Sequence, residues 1–218
     1  PLFILVLFIF FLHSRFNFNA NSYINFQKGY FFYINSKLGL FPNVIYNLTQ
    51  TGDTLVILSI LSFQFNQPLN NLPSTLKYLR LGASFNQPLD FLPANLKILS
   101  LGLFFNQDVT NLPSGLKEIH FGDTFNQPID NFPNSLINVE FGRDFQQSIN
   151  LLSDSIKYLN LNIDYEQPVY KYPSNLEELI ISENYYWGNY KFVLDFNLLP
   201  DTVKNIKLLS FQLKLNTS

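Results

Sequence analysis

Large apolar residues recur along this chain at one fixed interval. Phe65, Phe85, Phe105, Phe125, Phe145 and Tyr165 follow one another every 20 residues, and Gln67, Gln87, Gln107, Gln127, Gln147 and Gln167 stand two places after each. The rest of the unit repeats as well, as Leu76/Leu79/Leu81, Leu96/Leu99/Leu101, Leu116/Ile119/Phe121, Leu136/Val139/Phe141, Ile156/Leu159/Leu161 and Leu176/Leu179/Ile181. Outlying copies begin at Leu55 and Val203. The closing alternation of each copy is that of a half-buried strand and is too short for a helix. It predicts strands near 56–60, 77–81, 97–101, 117–121, 137–141, 157–161, 177–181 and 204–208. Two prolines in a typical unit, such as Pro88 and Pro93, forbid a regular helix on the way back. The expected fold is a repeat solenoid with a parallel β-sheet on its concave face and an irregular, helix-poor convex side.

One unit cannot stand alone, because a handful of buried side chains does not offset the entropy lost in ordering its backbone. Stacking adds burial and pairs each strand with its neighbours. The recurrent polar residues are therefore read first as parts of the stack. Asn66, Asn86, Asn106 and Asn126 are expected to turn inward and satisfy backbone groups of adjacent coils. Gly82, Gly102, Gly122 and Gly142 follow each strand, and Asn162 and Ser182 continue the position, which suggests a demand for positive φ. Lys77, Lys97, Lys117 and Lys157 form a row of solvated cations interrupted by Ile137 and Glu177.

The Phe-Asn-Gln-Pro start and the Leu-Pro-x-x-Leu-Lys middle, as in Phe85 to Pro88 and Leu92 to Lys97, resemble the FNIP repeats, a leucine-rich-repeat-like family found in proteins of social amoebae and giant viruses. The resemblance is strong over 55–181 and weaker over 182–211. It implies a leucine-rich-repeat-like solenoid that acts as a protein-interaction scaffold, and, because some viral relatives carry an F-box, a substrate-recruiting part of a ubiquitin-ligase adaptor. Residues 1–45 contain no recognisable F-box. Gln146 and Glu166 replace the repeat's Asn, Asp108 and Ser148 its first Pro, and Ser153 its second. All are compatible with turns and should leave the solenoid intact.

Composition narrows the function further. The chain has 14 Lys+Arg against 16 Asp+Glu, a net charge of −2, so no basic face for nucleic acid is expected. Cysteine is absent, which fits an intracellular, cytoplasmic setting and removes thiolate chemistry. His13 and His120 are the two histidines, and there is no glycine-rich phosphate loop. A non-enzymatic protein without cofactor or metal is the expectation. Glu118, His120 and Glu140 can gather on neighbouring strands, where a solvated ion pair is more usual than a metal site.

Residues 1–45 form an N-terminal segment of open character, read as a fragment of a missing domain, with the apolar run at its start the end of a preceding element or a spurious translated stretch. Its apolar run Leu2 to Leu12 is too short to span a bilayer, which takes about 20 residues. The alternative reading makes that run a signal or anchor and the chain a secreted or membrane-anchored recognition protein. Residues 46–218 form the array, with an aromatic insertion at about 184–197 that holds Tyr185, Tyr186, Trp187 and Tyr190, followed by a C-terminal cap.

Positions that escape the repeat are the candidates for function, since stacking explains the others. Outward strand positions include Tyr78, Arg80, Glu118, His120, Asn138, Glu140 and Tyr158. After one strand, Leu103-Phe104 replaces the small or polar pairs Ala83-Ser84, Asp123-Thr124 and Arg143-Asp144. These residues are expected to contact a protein partner of a monomeric scaffold, with no role for nucleic acid or membrane.

Overall fold

The computed structural model describes residues 24–26, 29–31, 46–51, 54–60, 63–69, 72–182 and 192–209. Two short strands, β1 (Ile24–Phe26) and β2 (Gly29–Phe31), pair antiparallel. The array is one sheet of nine strands in strict chain order: β3 (Tyr46–Thr51), β4 (Thr54–Ile60), β5 (Tyr78–Leu81), β6 (Ile98–Ser100), β7 (Glu118–His120), β8 (Asn138–Glu140), β9 (Tyr158–Asn162), β10 (Glu178–Ser182) and β11 (Asn205–Leu209). From β4 to β11 every pairing is parallel. These eight are the strands expected from the repeat, and one strand stands outside that expectation. β3 turns back on β4 as an antiparallel hairpin, which hydrogen-bonds the N-terminal edge that a parallel array would leave open. Each coil is numbered here from its strand, β4 opening coil one and β11 coil eight.

The repeat maps directly onto packing. Leu76, Leu79, Leu96, Leu99, Leu116, Ile119, Leu136 and Val139 are wholly buried, as are their counterparts Ile156, Leu159, Leu176 and Leu179. Phe65, Phe85, Phe105, Phe125, Phe145 and Tyr165 form an offset stack with centroids 6.0–6.2 Å apart and planes within 16°. A second column, Phe121 and Phe141, leans on it, with Phe121 against Phe125 and Phe141 against Phe145 at 3.7 Å.

The second proline opens a tight turn whose job is to return the chain to the core. The N–H groups of Leu76, Leu96, Leu116, Leu136 and Leu176 donate to the carbonyls of Pro73, Pro93, Pro113, Pro133 and Pro173. At Ser153 the same bond forms from Ile156, and Ser153 Oγ also accepts from Ser155 N–H. Where the first proline is missing, Asp108 Oδ1 accepts from Thr110 N–H at 2.8 Å and Ser148 Oγ from Asn150 N–H at 3.3 Å. A side-chain turn thus replaces a ring, and the solenoid continues. The helical content of the described residues is a single 3-10 turn, Phe196–Leu198, capped by Asp195.

The asparagines form a ladder, although they are not turned inward. Asn66 Oδ1 accepts both Asn86 N–H at 2.9 Å and Gln87 Nε2 at 3.0 Å, and Asn86 and Asn106 repeat the pattern one coil further on. Asn126 does the same for Gln146 and Gln147, and Gln146 Oε1 takes over for Glu166 N–H. Asn66 lies exposed and the others half-exposed at the coil edge, and each bonds forward along the stack, because the N–H needing a partner belongs to the next coil.

The glycine column also requires a different reason from the one the sequence suggests. Gly102, Gly122 and Gly142 do not lie in the left-handed region. A Cβ on Gly102 would stand 1.9 Å from the Gly82 carbonyl oxygen, and on Gly122 or Gly142 2.2 Å from the oxygen of the preceding glycine. The demand is for close approach between coils, which one coil's sequence cannot display.

Candidate functional site

The buried alternate residues of each strand force the others onto an open face. Parallel register puts Tyr78, Ile98, Glu118, Asn138, Tyr158 and Glu178 in one row and Arg80, Ser100, His120, Glu140, Asn160 and Ile180 in the next. The candidates Tyr78, Arg80, Glu118, His120, Asn138, Glu140 and Tyr158 thus share one surface. Arg80 and Tyr158 are its exposed members, and the rest are half-buried by neighbours on either side.

The middle of that face is an ion-pair cluster. His120 Nδ1 lies 2.8 Å from Glu140 Oε2, and Nε2 lies 3.8 Å from Glu118 Oε2. The hydrogen bond to Glu140 raises the His120 pKa above its ordinary value, partial burial opposes the rise, and the charges of both glutamates add to it. Among the described residues no group of His, Asp and Glu is arranged to hold a metal ion. A raised imidazole pKa means that the folded state gains from protonation. That gain is complete below the ordinary histidine value of about 6.5 and fades as the pH rises through the higher folded value. Imidazole titration by NMR should show His120 above about 6.5 in the folded chain, with Glu140→Gln moving it down. An unchanged titration in that variant would show that the pair does not form in solution.

At the strand starts the lysine row is not uniform. Glu177 accepts Lys157 Nζ at 2.7 Å and Lys204 Nζ at 2.6 Å, and these two cations hold its carboxyl down at about 2. On the open face Glu178 pairs with Lys207 at 2.8 Å. Lys77 and Arg80 make no ion pair with a described acid.

Leu103 and Phe104 stay on the surface, 37% and 44% exposed. Their loops are already joined through the backbone, Phe104 N–H donating to Ala83 O and Thr124 N–H to Leu103 O, so the side chains are left outside. Phe104 meets Phe63, 63% exposed, edge-on at 6.4 Å across the small Ala83. Phe63 was not among the residues singled out from the sequence. The signal was present, since Phe63 stands two places before Phe65 just as Leu103 stands two places before Phe105. The candidates are also less unified than their sequence spacing suggests. Phe104 belongs with coils one to three, while Tyr158 stands three strands from β6, ~14 Å away at strand spacing.

Elsewhere, a cavity of about 140 Å³ lies on the return side between Tyr165, Tyr172, Phe192 and Leu198. Burial pushes both phenols up to about 12; Tyr165 donates to Gln147 O, whereas the Tyr172 hydroxyl is buried without a partner. Tyr185, Tyr186, Trp187 and Tyr190 of the aromatic insertion lie outside the described residues, as does the run Leu2 to Leu12. No helix among the described residues is long and apolar enough to cross a membrane.

The family model described as FNIP Repeat matches residues 65–104 and 105–144, two consecutive pairs of coils. These coils are FNIP repeats. The array is similar to a solved structure described as CroV588, a novel circular LRR protein, with 29% sequence identity and a TM-score of 0.50. That similarity covers 67% of this chain and 26% of the other, so the chain spans about a quarter of its solved relative. No curated protein matches the sequence. The chain is thus a repeat protein of leucine-rich-repeat-like fold, and FNIP and leucine-rich repeats are in general non-catalytic interaction scaffolds.

Proposed function

We propose that this FNIP array is a non-enzymatic, intracellular scaffold that binds a protein partner on the open face of its sheet and the adjoining loop row. One observation carries the reading: strand positions that stacking does not use, among them Tyr78, Arg80 and Tyr158, share the open face of one sheet, and Leu103 and Phe104 stay exposed in the adjoining loop row. Tyrosine, arginine and large apolar groups concentrate binding energy when a partner desolvates them. The family resemblance extends the proposal to a substrate-recruiting role beside an F-box, which reading the coding sequence upstream of residue 1 would test.

Replacing Phe104 and Tyr158 together by alanine should weaken partner capture about tenfold or more while leaving the melting temperature nearly unchanged, since both side chains are outside the core. The comparison is made on pull-downs from the host cell, with the bound proteins identified. The same partners recovered undiminished by the double variant would rule this surface out.

A further inference from the structure

The open face changes charge along the array. Lys77, Lys97 and Lys117 stand in register at the strand starts of coils two, three and four, each backbone joined to the next at 2.8 Å. Exposed Arg80 projects beside them, and Phe63, Leu103 and Phe104 form the apolar border. The described acids of coils one to three are on the return side, where Asp90 accepts from Asn111 and Asp108 from Thr110. Beyond Lys117, from the body of coil four onward, the sign reverses. Glu118 and Glu140 flank His120, Asp123 and Asp144 follow the strands, and the cations Arg143, Lys157 and Lys207 are paired with Asp144, Glu177 and Glu178.

We infer that the surface from coil one to the start of coil four binds an acidic polypeptide segment that carries a large apolar side chain among its carboxylates. The inference rests on the reading of this face as a protein-binding surface and names the chemistry of the partner. Like charges stacked at the strand spacing of ~4.8 Å repel one another, and an anionic ligand relieves that repulsion. Lys77 to Lys117 spans two spacings, ~10 Å, which an extended segment covers in about three residues, so carboxylates three apart match the ends of the row. Arg80 offers a bidentate site for another carboxylate. The Phe63–Phe104 pair supplies the desolvated contact that cations alone lack. A nucleic acid would find the lysines but also the acidic half of the same face, which repels phosphate.

The test is selection of a random linear peptide library, displayed on phage, against the full chain. The expected peptides combine Asp or Glu with Phe, Trp or Leu and bind more weakly as salt rises. Their affinity should fall about tenfold with Lys77→Glu plus Arg80→Glu and change less than about twofold with Glu118→Gln plus Glu140→Gln. Because charge reversal can unsettle a fold, Lys77→Gln plus Arg80→Gln is measured as well and should still weaken binding about threefold. Selection of basic peptides that depend on Glu118 and Glu140 would overturn the inference and leave the protein-binding reading standing. So would binding of a poly-uridine oligonucleotide or phosphatidylserine vesicles through Lys77 and Arg80 with no peptide selected. Partners lost in the pull-down with Tyr158→Ala alone, which lies outside the inferred site, decide the broader reading independently.

Discussion

Phe105→Ala is expected to lower the stability of the array by about 3–5 kcal/mol and to divide its unfolding into two steps. Phe105 is wholly buried and stacks on Phe85 at 6.2 Å and on Phe125 at 6.1 Å, so truncation opens a cavity that touches three coils. Neither neighbour can collapse into the space, because each ring is fixed by the next coil as well. In an array stabilised by nearest-neighbour contacts, weakening one central junction uncouples the halves on either side. Denaturant titration followed by circular dichroism measures both effects. A loss below about 1 kcal/mol would mean that the stack does not carry the junction.

Gly122→Ala is expected to cost about 2–3 kcal/mol or more, although it adds a single methyl group. That methyl would meet Gly102 O at 2.2 Å and Leu103 Cα at 2.6 Å, both backbone atoms of the coil below. Relief requires separating two coils that are held by ladder hydrogen bonds and by the aromatic stack. Gly115→Ala is the matched control. Its methyl would meet Lys97 Nζ at 2.8 Å, the far end of a flexible side chain that can give up its exposed hydrogen bond to Gly115 O and swing aside, and the loss should stay below about 1 kcal/mol. Thermal melts of the two variants that agreed within error would show that the coils do not approach as closely as the glycine column requires.

These two substitutions mark where sequence reading succeeded and where it fell short. The 20-residue phase of Phe105, the alternation in Leu99-Ser100-Leu101 and the paired prolines are enough to infer a stacked, helix-poor solenoid and to name its core. Each is a local signal, and the repeat states it several times over. The turn exchanges at Asp108, Ser148 and Ser153 were legible for the same reason, since an Asp or Ser turn is made within two residues. Outward positions such as Tyr78, Arg80 and His120 could be listed from strand alternation.

What those positions meet was decided only in three dimensions. The sequence by itself determined the fold class, the strands from β4 to β11, the buried residues and the set of candidates left over from stacking. The tertiary structure decided that β3 covers the first parallel strand, that the glycines are needed for coil contact and not for positive φ, and that Phe63 lies edge-on to Phe104 with a whole coil between them. It also brought His120 between Glu118 and Glu140 and set a cationic, apolar half of the face beside an acidic one. The physical reason is that a repeat writes its intracoil contacts into every copy, whereas contacts between unlike residues of different coils depend on register, spacing and close approach, which exist only once the coils are stacked.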